Sequence, residues 1–97
     1  MIASYRLAIP PHVADVVRRL PPDVKRSVKQ AMRALASQPD AGEPLRRKLE
    51  GLWKYRARRF RVVYAVDRAR RLVQILAVDH RRTIYEEAAE RVRKKHV

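Results

Sequence analysis

The chain has no cysteine, two glycines, one tryptophan and one phenylalanine in 97 residues, and ten acidic side chains against 24 lysines and arginines. Each shortage removes a class of chemistry. Without cysteine there are no disulfides, no thiolate nucleophile and no sulfur ligands, a composition that suits a cytosolic protein. Gly42 and Gly51 alone cannot build a phosphate-cradling loop. Ser4, Ser27 and Ser37 have no turn glycines beside them, so a nucleophile elbow is unsupported. His12, His80 and His96 stand far apart with no carboxylate cluster, and neither a metal nor a cofactor is expected. No apolar run approaches the ~20 residues that cross a bilayer. Residues 1–11 also lack the basic start, apolar stretch and cleavage site of a secretory signal. The expectation is a cytoplasmic protein with no membrane partner.

What is present is positive charge. A formal net charge of +14 exceeds what solubility needs and repels itself in a compact state, so an acidic partner is expected, nucleic acid first and an acidic protein second. A chain of this length makes one small domain, 1–97, burying about 60 to 65% of the surface its unfolded form exposes.

Hydropathy period divides the chain into elements. Tyr5, Leu7 and Ile9 alternate with polar or small residues as a short strand closed by Pro10 and Pro11. Val13, Val16, Val17 and Leu20 make the apolar stripe of a helix stopped by Pro21 and Pro22, with His12 solvated in its first turn. A second helix starts near Pro22 or Asp23 and carries the stripe Val24, Val28, Ala31, Met32 and Leu35 as far as Pro39. The two should form an antiparallel hairpin. Residues 39–51, with both glycines and Pro44, read as an extended loop that buries Leu45 and Leu49 and offers Arg46, Arg47 and Lys48 to an RNA backbone.

The organising stretch is 53–85. Residues 52–58 and 60–67 form a strand hairpin, and 72–78 a further strand. In 53–58, Trp53, Tyr55 and Ala57 take one face, leaving Lys54, Arg56 and Arg58 as a cationic row on the other. The apolar run from Val62 to Val66 suits a central strand covered on both faces. Arg61 enters that run at its start, where an arginine normally needs an anion, either Asp67 or Asp79 or a ligand. Thr83 and Glu86 form a capping-box pattern opening a last helix striped by Ile84, Ala88 and Val92, whose end at 91–97 is basic. The predicted fold is α+β: an N-terminal strand, a helical hairpin packed on a mainly antiparallel four-stranded sheet, and a C-terminal helix.

An arginine-rich surface without metal or protein nucleophile can perform one reaction, cleavage of RNA by its own 2′-hydroxyl. The enzyme need only orient the sugar-phosphate, neutralise the charge on phosphorus and move protons. Guanidinium groups suit the second task and not the third, since their pKa lies above ~12. His80 and Tyr85 are the proton carriers nearest the arginines, and each also has a plain structural reading, His80 at a strand end and Tyr85 packing in a first turn.

The segments KLEGLWKYRARRFRVVYAV and VDHRRTIY, with the order of elements, resemble the RelE/ParE superfamily of toxins from toxin-antitoxin pairs, and its RelE branch in particular. The likeness is densest from Leu49 to Tyr85. It implies a RelE-like fold and a ribosome-dependent endoribonuclease that cuts messenger RNA, held inactive by an acidic RelB-like antitoxin in a hetero-oligomer. By position, Arg61 would stabilise the phosphate in the transition state, and Arg81 would contact it and assist the leaving group. Tyr85 would orient the attacking hydroxyl or help deprotonate it. Arg56 and Arg58 fall where members of the family usually have lysines. An arginine cannot readily serve as a base, which shifts proton transfer toward Tyr85 or His80. Lys54, Arg59 and Arg82 extend the expected RNA-binding surface. Two rivals remain, a ParE-like inhibitor of DNA gyrase without nuclease chemistry and a non-catalytic basic RNA-binding module.

Overall fold

The computed structural model describes residues 4–95, with side chains through 92. The elements are β1 (Arg6–Ala8), α1 (Pro11–Arg18), α2 (Pro22–Ser37), β2 (Glu43–Pro44), β3 (Trp53–Ala57), β4 (Phe60–Asp67), β5 (Leu72–Asp79) and α3 (Ile84–Lys95), with 3-10 turns at Pro39–Ala41 and Arg47–Leu49. The strands form one sheet in the order β1-β5-β4-β3-β2, with β1 parallel to β5 and the other pairs antiparallel. No described helix is long and apolar enough to cross a membrane. His96 lies outside the described residues.

The apolar run of β4 fits its place at the middle of the sheet. Val62 and Tyr64 join Val13, Val17, Val28, Met32 and Leu35 in a core under α1 and α2, while Val63 joins Leu76, Ile84 and Ala88 in a second core under α3. Successive side chains point to opposite faces, so one strand serves both cores. Leu45 and Leu49 pack, half-buried, against the second core. The proline at the start of each of α1 and α2 costs no hydrogen bond there, and Asp23 favours the first turn of α2. Thr83 takes the N-cap position of α3, its carbonyl accepting the amide of Glu87 at 3.1 Å.

The structure differs from the sequence reading at four points. The sheet has five strands rather than four, because Glu43–Pro44 pairs with β3 inside the segment read as loop. Two residues, one of them proline, carry no strand signal, and proline is tolerated only because this is an edge. The sheet is mainly antiparallel as expected, with β1 running parallel to β5. β3 ends at Ala57, and Arg58 leaves the strand with φ 57. Val16, expected in the stripe of α1, is 37% exposed, while Val13 and Val17 are buried as expected.

His12, expected in solvent, sits half-buried with Nε2 2.9 Å from the carbonyl of Leu76. The register of β5 against β4 skips Leu76, passing from Tyr64↔Ile75 to Val63↔Ala77. A bulge leaves backbone groups outside the ladder, and the ring of His12 satisfies this one. His12→Ala is therefore expected to lower stability by about 1 to 3 kcal/mol, the cost of an orphaned buried carbonyl, measurable as a lower urea midpoint with unchanged slope.

Candidate functional site

On β3, Trp53, Tyr55 and Ala57 pack toward α1 and α2. Strand alternation then sends Lys54 and Arg56 to the α3 side of the sheet. Arg56 stands directly opposite Arg61 on β4, and Arg61 opposite Asp79 on β5, so three charged positions cross three strands in one row. Like charges facing each other across a ladder are unfavourable. The nearby carboxylate does not relieve them. Asp79 Oδ1 accepts the amides of His80 (2.6 Å) and Arg81 (3.2 Å), folding the turn that leads to α3, and among the described residues its arginine ion pair is with Arg81 Nε at 4.0 Å. Arg61 Nη1 instead donates to the neutral carbonyl of His80 at 2.5 Å. Among the described residues neither Arg56 nor Arg61 forms an ion pair with a carboxylate.

These two arginines line a cleft of about 290 Å³ together with Lys54, Tyr55, Glu43 and Tyr85. Tyr85 reaches it from the first turn of α3, half-buried against the second core. Arg56 and Arg61 also border a wider depression of about 590 Å³, lined further by Pro21, Val24, Arg58, Arg59, Phe60 and His80. The expected site residues thus divide into groups. Lys54, Arg56, Arg61 and Tyr85 share the cleft, while Arg58, Arg59 and His80 lie at the adjoining depression. Arg81 and Arg82 are exposed on the turn before α3 and line neither. Arg46, Arg47 and Lys48, exposed on the turn between β2 and β3, line neither as well.

Arg58 is drawn away from the cationic row by Asp23 at the start of α2, 2.9 Å from its Nη1. The carboxyl of Asp23 is held below its ordinary pKa, first by the backbone amide of Val24, then by its own amide, with Arg58 adding to both. Among the described residues no His, Asp and Glu side chains gather in a group of three or more able to ligate a metal ion.

Two residues of the site have no sequence signal. Glu43 supplies the one carboxylate among the side chains lining the cleft, with an oxygen 3.9 Å from Lys54 Nζ. Tyr64, fully buried, donates its hydroxyl hydrogen to the carbonyl of Pro39 (2.7 Å) and accepts the amide of Gly42 (3.1 Å). Those two bonds hold the chain immediately before Glu43 against the sheet. Burial raises the pKa of this hydroxyl, which keeps it protonated and able to donate.

Comparison with known proteins agrees with this architecture. A family model described as ParE toxin of type II toxin-antitoxin system, parDE, matches residues 6–85. Toxin RelG of Mycobacterium tuberculosis is 38% identical over 71 residues, covering 71% of this chain and 82% of the relative. The toxin-antitoxin complex RelBE2 of the same organism aligns with a TM-score of 0.74 at 30% identity, covering 84% of this chain and 95% of that one. A mutant of the Escherichia coli toxin RelE in the free state aligns at 0.76 with 23% identity, covering 92% and 98%, a likeness of fold. Because the family match runs from β1 into the first turn of α3 and takes in every residue lining the cleft, the chain belongs to the RelE/ParE superfamily of toxins of type II toxin-antitoxin systems.

Proposed function

We propose that this toxin is a ribosome-dependent endoribonuclease that inhibits translation by cutting messenger RNA, and that its active site is the cleft between β2, β3, β4 and the start of α3. The observation that carries this reading is the facing pair Arg56 and Arg61, without a carboxylate partner among the described residues, beside Tyr85. Two guanidiniums brought side by side by the strand register can both meet the negative charge that develops on a phosphate between them.

In the proposed reaction the 2′-oxygen attacks the adjacent phosphorus. A bond forms from phosphorus to the 2′-oxygen and the bond to the 5′-oxygen breaks, leaving a 2′,3′-cyclic phosphate and a 5′-hydroxyl. Tyr85 orients the attacking hydroxyl, Glu43 receives its proton, and water protonates the departing 5′-oxygen. Glu43 fills the role that an arginine in place of a strand lysine cannot. Arg61 and Arg56 hold the phosphate. Arg81 approaches it from the turn before α3 once the message is bound.

The charge of +14 suits the partners this reading requires, the message and ribosomal RNA for activity and an acidic RelB-like antitoxin for restraint. Solved relatives described as RelBE complexes support a toxin-antitoxin hetero-oligomer.

A second reading, inhibition of DNA gyrase without nuclease chemistry, is favoured by the ParE description of the matching family model. Mapping the 5′ ends of transcripts after induction separates the two. New ends inside translated codons are expected; intact messages accompanied by gyrase-linked DNA breaks would establish the second reading. In the same assay Tyr85→Phe is expected to lower cleavage by about 100-fold, the scale of a lost orienting contact at the reacting hydroxyl.

A further inference from the structure

His80 is aromatic, exposed and nevertheless held in place. Its side chain is 60% exposed, yet Nδ1 lies 3.2 Å from Asp79 Oδ1, and the ring meets Phe60 edge-on with centroids 5.6 Å apart. Asp79 is itself fixed by the two backbone amides it accepts. An exposed histidine normally turns freely. Here the ring has a contact on each of two sides, and it lines the depression that shares Arg56 and Arg61 with the cleft. The floor of that depression includes Pro21, Val24 and Phe60, apolar groups with no charge to satisfy.

Fixed aromatic faces beside arginines are what single-stranded nucleic acid uses. The phosphate meets the guanidiniums and the unstacked base lies on the ring, with little regard to sequence. The two spaces also adjoin, because the same arginine borders both. Arg61 lines the cleft and the depression, and its Nη1 bonds the backbone carbonyl of His80 itself.

We propose that the depression beside His80 is a nucleobase subsite of single-stranded RNA: the base next to the phosphate held by Arg56 and Arg61 stacks on the His80 ring, which Phe60 and Asp79 brace. This rests on the cleft being the RNA site and adds the direction in which the strand leaves it. His80 is then a positioning residue that acts on substrate binding, not a proton carrier. Arg58 also lines the depression, its guanidinium paired with Asp23.

The test uses two probes that cannot be cut, a 2′-O-methyl trinucleotide and the same backbone without bases, titrated into the full-length protein and followed by amide chemical shifts. The wild type should bind the trinucleotide about tenfold more tightly than the abasic probe, near the low end of what one stacked base contributes. His80→Ala should remove that difference and leave abasic binding unchanged, and His80→Tyr should restore it, which a purely structural role for the ring would not predict. If His80→Ala leaves both affinities at wild-type values while Arg61→Ala weakens both, the subsite is wrong and the cleft stands. If Arg61→Ala changes neither, the cleft is not the RNA site and the subsite falls with it.

Discussion

Arg61→Ala is expected to lower RNA cleavage by about 100- to 1,000-fold, the usual loss when one charge-stabilising donor is removed, and to abolish growth inhibition. The fold should survive. Arg61 is half-buried and its side-chain bond in the described structure goes to the carbonyl of His80, next to an exposed turn where water can replace it. Removing it also ends the opposition of two positive charges across β3 and β4. Thermal unfolding should therefore shift by a few degrees at most, in either direction, while activity collapses. Arg61→Lys should recover little, since an ammonium cannot hold two phosphate oxygens in the plane a guanidinium offers. A folded Arg61→Ala protein that remained toxic would remove the catalytic role assigned here.

The second large effect is structural in origin and functional in outcome. A Cβ on Gly42 would come within 2.5 Å of the Tyr64 hydroxyl and closer still to the carbonyl of Lys54. Neither can retreat easily, one being buried and bonded to Pro39 and the other belonging to β3. Gly42→Ala should cost about 1 to 3 kcal/mol, as overpacking does. That corresponds to a drop in melting temperature of roughly 4–8 °C per kcal/mol for a domain of this size. Because Glu43 is the next residue, β2 should detach and the cleft lose its carboxylate wall, so cleavage should fall further than instability alone explains. Tyr64→Phe separates the two contributions: it keeps the buried ring, removes both hydroxyl bonds, and should reduce cleavage through Glu43 with a smaller stability loss. Cleavage that simply tracks the folded fraction in both variants would mean that Glu43 has no part in the reaction.

How much of this was legible in the chain follows from which forces are local. The limits of β4, the two-faced burial of Val62 to Val66 and the stripe of α2 are all written in hydropathy period, and the structure reproduces them. The outward placing of Lys54 and Arg56 follows from the same alternation. Arg58 did not, because a positive φ at the end of β3 turns it toward Asp23, 35 residues away in sequence, and no local pattern encodes that turn. β2 was invisible for a similar reason. It exists because Tyr64 reaches back to Pro39 and Gly42 and because β3 offers an edge, not because Glu43 and Pro44 prefer extended backbone. The role of His12 depends on a bulge at Leu76, itself a product of how β5 fits β4. Charge was the clearest signal for function. What charge alone left open was which of the described arginines would be tied down by carboxylates and which would not.

The claim that Arg56 and Arg61 close around a phosphate attacked by its own 2′-hydroxyl is tested most directly on translating ribosomes programmed with one message. Purified protein is added to that message and to a copy carrying a single 2′-deoxy nucleotide at the cut position. The account predicts a cut with a 2′,3′-cyclic phosphate end in the ordinary message, none at the deoxy position, and cutting of the ordinary message slowed about 100- to 1,000-fold by Arg61→Ala. A cut that persists at the deoxy position, or an undiminished rate in the ordinary message with Arg61→Ala, would contradict it.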